Sequence, residues 1–294
     1  MVEIKKRKIR KKEYFYIEHS FREGNKIRKK QKYLGKEMPE GIEKIKREFI
    51  SELYQKKWIK DIELIKKNFF KEYNLMPKSA RKKEKEIFVI KFTYNSQKME
   101  GSTLTLKETA NLLERGISPT KPIIDIRETE AHKKVFDNMM DYNKNLNLNI
   151  VSFWNKILLD ETKSDIAGKI RNYQVRLVRS KFMPPFPVEL DTLLHEFFIW
   201  YKENKNKIHP VELAGLAHLK FVTIHPFGDG NGRVSRIMMN FILKKNKYPL
   251  LDIPYEKRAS YYNALERAQI KNDENIFLQW FFKRYIQEYK RYLD

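Results

Sequence analysis

Nine consecutive residues, His225, Pro226, Phe227, Gly228, Asp229, Gly230, Asn231, Gly232 and Arg233, bring an imidazole, a carboxylate, an amide, a guanidinium and three glycines together. Arg236 follows three positions after the first arginine. On a helix that spacing sets both guanidinium groups on one face, where they could grip the oxygens of a phosphate. Asp229 is a hard oxygen ligand suited to Mg2+ on such a phosphate, and His225 is a candidate general base. The stretch reads as a catalytic loop. A Gly/Asn turn joining two core helices is the alternative, but a turn needs two of these residues rather than all nine.

The flanking pattern says where the loop must sit. Leu213, Leu216, Ala217, Leu219, Phe221 and Ile224 recur at mostly helical spacing behind Pro210, which suits a first helical turn, and predict a helix ending near His225. Val234, Ile237, Met238, Phe241, Ile242 and Leu243 continue the period up to the basic Lys244 and Lys245, so a second helix begins around Gly230 to Gly232. The loop therefore lies at a helix N-terminus, where unpaired amides and the helix dipole favour an anion and glycines remove the Cβ obstruction. No GxxxxGK[ST] is present, and GDGNGR follows a helix rather than a strand, which argues against a P-loop and a dinucleotide fingerprint.

The run from His225 to Arg236 resembles the signature of the Fic family, HxFx[D/E]GNGRxxR, with every specified position filled. The resemblance implies a mainly α fold, a Fic-type helical bundle with a β-hairpin flap, extending over roughly residues 87 to 290. It also implies a nucleotidyltransferase, a protein adenylyltransferase (AMPylator) that moves AMP from ATP to a protein hydroxyl with Mg2+ present. In that scheme Gly230, Asn231 and Gly232 cradle the α and β phosphates, Arg233 stabilises the pyrophosphate leaving group, Asp229 holds Mg2+ and His225 takes the hydroxyl proton. Tyr261, Tyr262 and Gln269 fall where the family holds the adenosine. Upstream, Ser96 to Gly101 (SQKMEG) resembles the family's inhibitory motif [S/T]xxxE[G/N]. There Glu100 would pair with Arg236 and take the place of the ATP γ-phosphate, since a carboxylate and a phosphate oxygen compete for one guanidinium fork, and Ser96 is the other inhibitory position of the motif. Glu100 as an ordinary surface or capping charge is the alternative.

Between these motifs, Tyr173, Val175 and Leu177 alternate with Gln174, Arg176 and Val178, a period of two that predicts a strand, with a turn at 179–181. The family flap lies at the corresponding place, so Val175, Arg176, Leu177 and Val178 are expected to align a target chain by strand addition. A structural hairpin is the alternative reading.

The chain has 294 residues, 41% hydrophobic and 13% aromatic, enough for a sizeable core and one main domain with an appendage. Three parts are expected: a basic β-hairpin appendage over 1–36, a helical connection over 37–86 and the Fic catalytic domain over 87–294. In the first, Tyr14 to Ile17 and Lys26 to Leu34 predict two strands around a turn at 22–25. In the second, Ile42, Ile45, Phe49, Leu53, Trp58, Ile62, Ile65 and Phe69 predict one long helix or two shorter ones. His132, His209 and His218 lack partners at ligand spacing and read as structural.

A formal charge of +23 allows a nucleic-acid partner, but lysine is spread along the whole chain, so solvated helix faces account for much of it and such a partner is not favoured. The absence of cysteine excludes disulfides and thiolate metal sites. No secretory signal pattern and no run of about 18 apolar residues is seen, so no membrane partner and a cytoplasmic location are expected. The partner implied by the resemblance is a protein bearing a Ser, Thr or Tyr hydroxyl, this chain itself included; a homodimer is left open. Two rival readings are a de-AMPylating hydrolase in which Glu100 aligns water, and a basic nucleic-acid-associated regulator with a secondary Fic activity.

Overall fold

The structure, a computed structural model, describes every residue except Met1, Arg10, Lys11, Gly24, Asn25, Val178, Arg179 and Asp294. Two compact units are formed, Met1–Asp61 and Ile62–Asp294.

In the first unit, β1 (Val2–Ile9), β2 (Lys12–Glu23) and β3 (Lys26–Gly35) make an antiparallel sheet in the order β1-β2-β3. The expected hairpin is present as β2 and β3, and the basic lead becomes a third strand beside it. Its alternation is masked by lysines and arginines on both faces, which sequence periodicity does not register. The long helix α1 (Ile42–Leu75) begins in this unit and runs unbroken into the second, so the single-helix reading of 42–69 holds.

The second unit is helical. After α1 come α2 (Lys78–Met99), α3 (Leu106–Arg115), α4 (Ile123–Asp141), α5 (Leu148–Leu159), α6 (Leu190–Asn204), α7 (Pro210–Ile224), α8 (Asn231–Lys245), α9 (Arg258–Lys271) and α10 (Glu274–Glu288). The bundle centres on the antiparallel α7/α8 pair. Val211, Leu213 and Phe221 on the one, and Val234, Ile237, Met238, Phe241 and Leu243 on the other, are wholly buried. α8 is buried nearly all round, its polar Asn231, Arg233, Ser235, Arg236 and Asn240 included. Gly215 lets α10 approach α7: a Cβ there would lie 2.8 Å from the Phe281 ring.

Three polar clamps set the helices that carry the site. Asn240 on α8 exchanges two bonds with the backbone of Leu251, accepting from its N–H at 2.8 Å and donating to its carbonyl at 3.0 Å. Asn95 on α2 accepts from the Tyr255 N–H at 3.0 Å and donates to the Asp252 carboxyl at 2.5 Å. The segment 251–255 thus links α2 to α8. Beyond α2, the Thr103 N–H and hydroxyl both bond Asp125 on α4, at 2.8 and 2.6 Å, and Thr105 with Glu108 forms a capping box that starts α3.

The segment expected to be the flap hairpin departs from prediction. Among the described residues of 171–186 no strand ladder forms, and Val178 lies outside the described residues. Side chains hold the loop instead. Arg171 donates to the carbonyls of Tyr173 (2.9 Å) and Pro185 (2.7 Å), and Gln174 donates to that of Pro184 (2.9 Å). Near the tip, Glu266 on α9 accepts from the Lys181 N–H at 2.5 Å and the Ser180 hydroxyl at 3.3 Å. Val175, Arg176 and Leu177 belong to no strand.

Burial pushes the Asp252 carboxyl up to about 6, against the opposing bond from Asn95. A raised carboxyl stabilises the fold fully below its unfolded value near 3.8 and loses that contribution as pH rises through about 6. Asp252→Asn removes the buried charge while keeping an acceptor for Asn95. Its advantage over the parent in denaturant unfolding should therefore grow between pH 4 and pH 7, by up to about 3 kcal/mol for a shift of roughly two units. An advantage equal at both pH values would contradict the assignment.

Candidate active site

The loop 225–230 connects the C-terminus of α7 to the N-terminus of α8, as the spacing predicts. His225 takes the left-handed conformation (φ 52°) and ends α7, and Gly230 (φ 78°) caps α8. A non-glycine residue at positive φ is held by its surroundings. Here the His225 carbonyl accepts from Arg171 Nε at 2.9 Å, and the Arg171 N–H donates to the Pro226 carbonyl at 2.9 Å. The Asn231 side chain closes the loop from inside, accepting from the Phe227 N–H (2.9 Å) and donating to the Phe227 carbonyl (2.8 Å). Asn155 on α5 supports it from below, bonding the Asp229 carbonyl and the Gly168 N–H, each at 2.9 Å. The Asn231 amide, expected on phosphate, is thus already bonded to its own loop.

Two glycines are required here. At Gly230 a Cβ would meet Asn155 Nδ2 at 2.9 Å in addition to the positive φ. At Gly232 it would lie 2.8 Å from Glu100 Oε1 and 3.1 Å from an Arg236 nitrogen. A carboxylate oxygen therefore sits directly over the first turn of α8, where amides and dipole favour an anion.

Arg233 and Arg236 are almost wholly buried, 1% and 2% exposed. Arg236 donates to Glu100 Oε1 (2.7 Å), the Ser96 hydroxyl (2.7 Å) and the Ser96 carbonyl (3.2 Å). Ser96 on α2 and Glu100 at its C-cap stand four apart, so one helical face supplies these three contacts to the guanidinium. Glu100 closes α2 and Gly101 (φ 103°) turns the chain away, which accounts for the Glu-Gly pair. Arg233 donates to Glu128 on α4, to Gln97 Oε1 (3.3 Å) and to Asp229 (3.3 Å), while its Nε is buried with no hydrogen-bond partner. Burial opposes both charges, and the carboxylates outweigh it, so both guanidinium pKa values are raised.

Asp229 is bonded by Lys163 as well as by Arg233 and the Gly230 N–H (2.5 Å). Burial raises its pKa, but the Arg233 charge and the Lys163 bond win, leaving it below the usual range and ionised. Lys163 also approaches Glu128 at 3.5 Å. Three cations, Arg233, Arg236 and Lys163, thus meet three carboxylates, Glu100, Glu128 and Asp229. Among the described residues no group of three or more His, Asp or Glu side chains could hold a metal on its own. Asp229 fits a single-carboxylate Mg2+ site whose remaining ligands come from phosphate and water.

The His225 ring sits at the rim. Its Nδ1 lies 3.2 Å from the Val222 carbonyl, a contact that assigns the proton to Nδ1 and leaves Nε2 as the basic nitrogen. Burial lowers its pKa and the Arg171 charge adds to this, against the Val222 bond and the two acids, with a net value below 6.5. The ring is neutral at neutral pH.

The expected adenosine residues divide. Tyr262 is exposed at the site's edge and its hydroxyl donates to the Met99 carbonyl at 3.3 Å, next to Glu100. Tyr261 is buried, its hydroxyl 2.8 Å from His218 Nε2, so its ring supports the floor. Gln269 bonds the Thr223 hydroxyl (3.1 Å) and lines a groove with Trp200 and Lys220 that no signature side chain lines. The histidines read as structural are so placed: His132 is buried 3.0 Å from Thr93, and His209 caps α7 and meets Glu63. Glu128, Lys163, Arg171 and Asn155 escaped sequence reasoning; only the glycine pattern at Gly168 and the nearby Arg171 hinted at a second loop.

No helix among the described residues is long and apolar enough to cross a membrane. Residues 145–243 match the Fic/DOC family. Protein adenylyltransferase Fic of Drosophila mojavensis is 34% identical over 200 residues, 65% of this chain and 38% of that protein. For its counterpart in Drosophila grimshawi the figures are 34% over 208 residues, 65% and 40%. The chain thus spans only 38% to 40% of the length of these relatives. Among solved structures, a Fic domain containing signaling protein from Bacteroides thetaiotaomicron superposes with a TM-score of 0.72 at 25% identity, covering 79% of this chain and 96% of that one. Fic-1 from C. elegans gives 0.72 at 25% identity, covering 86% of this chain and 77% of that one. The complete signature and the helical core agree with these likenesses: residues 145–243 are similar to the Fic/DOC family, and the fold is similar to that of the Fic structures.

Proposed function

We propose that this protein is an adenylyltransferase that transfers AMP from ATP to a hydroxyl side chain of a protein, and that Glu100 restrains it. The observation that carries the reading is the Glu100 carboxylate bonded to Arg236 over the first turn of α8, on the ground a phosphate would take. In the resting site the cations and carboxylates balance. Removing Glu100 leaves a positive excess beside a helix N-terminus, and a polyphosphate supplies the matching charge.

In this reading the Gly230 to Gly232 turn receives the α and β phosphates, with Arg233 neutralising the leaving pyrophosphate. Bound Mg2+, held by Asp229, would screen and orient the phosphate oxygens. The target hydroxyl loses its proton to His225 Nε2 as its oxygen bonds the α-phosphorus. The bond from that phosphorus to the bridging oxygen of the β-phosphate breaks, and pyrophosphate departs. Positioning and charge supply the rate. The loop 172–186 borders His225 and would align the target chain, and Tyr262 at the rim would meet the adenosine. Targets bearing Ser, Thr or Tyr, including this chain, suit such chemistry. The domain reading follows: a catalytic body over 87–294, reached through the helical stretch 37–86 from the basic appendage 1–36.

Three outcomes test the proposal. Glu100→Gly should label itself from ATP and Mg2+ well above the parent, because misplacing the α-phosphorus by about 1 Å can cost ~10²-fold in rate. Arg236→Ala breaks the same pair but removes the phosphate grip, and should not activate, alone or with Glu100→Gly. Labelling by Glu100→Gly no faster than the parent would overturn the restraint.

His225→Ala should abolish transfer with ATP affinity changed by no more than a few fold. A neutral base with a depressed pKa also fixes the pH profile: activity should fall with acidification only below pH 6.5, and an acid limb centred above 7 would contradict the base assignment.

Lys163 holds the carboxylate proposed for the metal. Lys163→Met should lower, several-fold, the Mg2+ concentration that half-saturates calorimetric ATP binding, and Asp229→Ala should remove the Mg2+ dependence. A raised Mg2+ requirement in Lys163→Met would mean that Lys163 itself binds phosphate.

A further inference from the structure

The N-terminal sheet presents a face whose chemistry the catalytic reading leaves unused. Across an antiparallel ladder, directly opposed residues share a face. The pairs Glu3↔Glu18, Arg7↔Tyr14, Lys5↔Tyr16, Tyr16↔Tyr33, Glu18↔Gln31 and Ser20↔Lys29 therefore gather three tyrosines, three cations, two carboxylates, an amide and a hydroxyl on one side. The rings form a ladder, with Tyr33 centred 5.3 Å from Tyr16 and 6.1 Å from Tyr14, and the Arg7 guanidinium lies 4.8 Å over Tyr16. Lys5, Arg7, Lys29, Gln31 and Tyr33 are exposed. On the other face Ile17 and His19 are buried. The tyrosine side is thus the open one.

An open row of aromatic rings costs stability unless something uses it, and a core would face it inward. The charge says what kind of partner. Residues 1–36 hold fourteen Lys and Arg against four Glu. On the tyrosine face Glu18, 2% exposed, draws in Lys5, Arg7 and Lys29, the last at 2.6 Å, and Glu3 lies opposite it, 3.6 Å from Lys5, so three cations face two carboxylates and the excess stays positive. Cations that track phosphates, beside rings that offer π-faces, are what a single strand with unstacked bases requires. A duplex hides those base faces, and an acidic protein has no use for a ring ladder. The Gln31 amide, which accepts from Arg7 at 2.9 Å and keeps its own N–H groups, and the tyrosine hydroxyls would meet a ribose 2′-hydroxyl, absent from deoxyribose.

We propose that the tyrosine face of the β1-β2-β3 sheet binds single-stranded RNA. The inference is independent of the transferase chemistry. Its phosphates would lie along Lys5, Arg7 and Lys29, with bases stacked on Tyr33 and Tyr14.

The test is fluorescence anisotropy of the full chain with a labelled 15-nucleotide oligouridylate from 50 to 300 mM salt. The parent should bind with micromolar affinity, with log K falling linearly in log salt. Tyr14→Ala with Tyr33→Ala should weaken binding at least about 10-fold with the salt slope unchanged, since stacking is worth ~1–3 kcal/mol per base. Lys5→Gln should instead lower the slope by about 0.7. Circular dichroism of each variant checks that the sheet persists, and Tyr33→Phe, which retains the ring, should bind close to the parent. The proposal is overturned if the parent does not bind at 50 mM salt, or if the double tyrosine variant binds as the parent does. It is likewise overturned if an RNA duplex, a matched deoxyoligonucleotide or a polyglutamate of equal charge binds as tightly.

Discussion

Two guanidinium groups buried at the positive end of a helix are the constraint from which the rest of the site follows. Arg233 and Arg236 stand in the first turns of α8, where the dipole is unfavourable to cations, and neither has solvent to screen it. Such charges persist only if anions are brought to them. Glu100 arrives from α2, Glu128 from α4 and Asp229 from the loop itself, each from a different part of the chain. The packing of α2 and α4 against α8 is therefore inseparable from the electrostatics of the loop.

That dependence explains the polar clamps. An ion pair at 2.7 Å tolerates little sliding of α2 along α8, and Asn95, Asp252 and Asn240 set this register through the 251–255 segment. Burying an acid such as Asp252 is costly, and its place in the chain of contacts between the two helices gives a reason to keep it.

The parts legible in the sequence are those whose information is contiguous. The signature loop, its flanking helices and the α7 end at His225 follow from nine adjacent residues and two apolar periods. Glu100 could be read because Ser96 and Gly101 mark it within one helical turn. Glu128, Lys163, Arg171 and Asn155 could not, because a single Glu, Lys, Arg or Asn on a helix or loop has no local signal of its destination. The flap misled for a related reason: alternation at 173–178 predicts a strand only if a partner strand exists, and here Arg171, Gln174 and Glu266 bond the backbone of Tyr173, Pro184 and Lys181 instead. The directions of Tyr261 and Gln269, inward and toward α7, depend on packing that spacing along α9 does not disclose.

Glu100 is the C-cap of α2, where the helix has no further turn to hold it. Helix ends fray in well under a microsecond, far faster than a domain can rotate. Letting go of Arg236 thus calls for unwinding one turn, with the Tyr262 contact to Met99 as the nearest restraint, and leaves the α7/α8 core untouched. Under the proposed restraint, an anion displacing the carboxylate would meet a rapidly equilibrating rival instead of a slow gate, so occupancy of the α8 terminus would be decided by relative affinity and concentration, without memory of which anion came first.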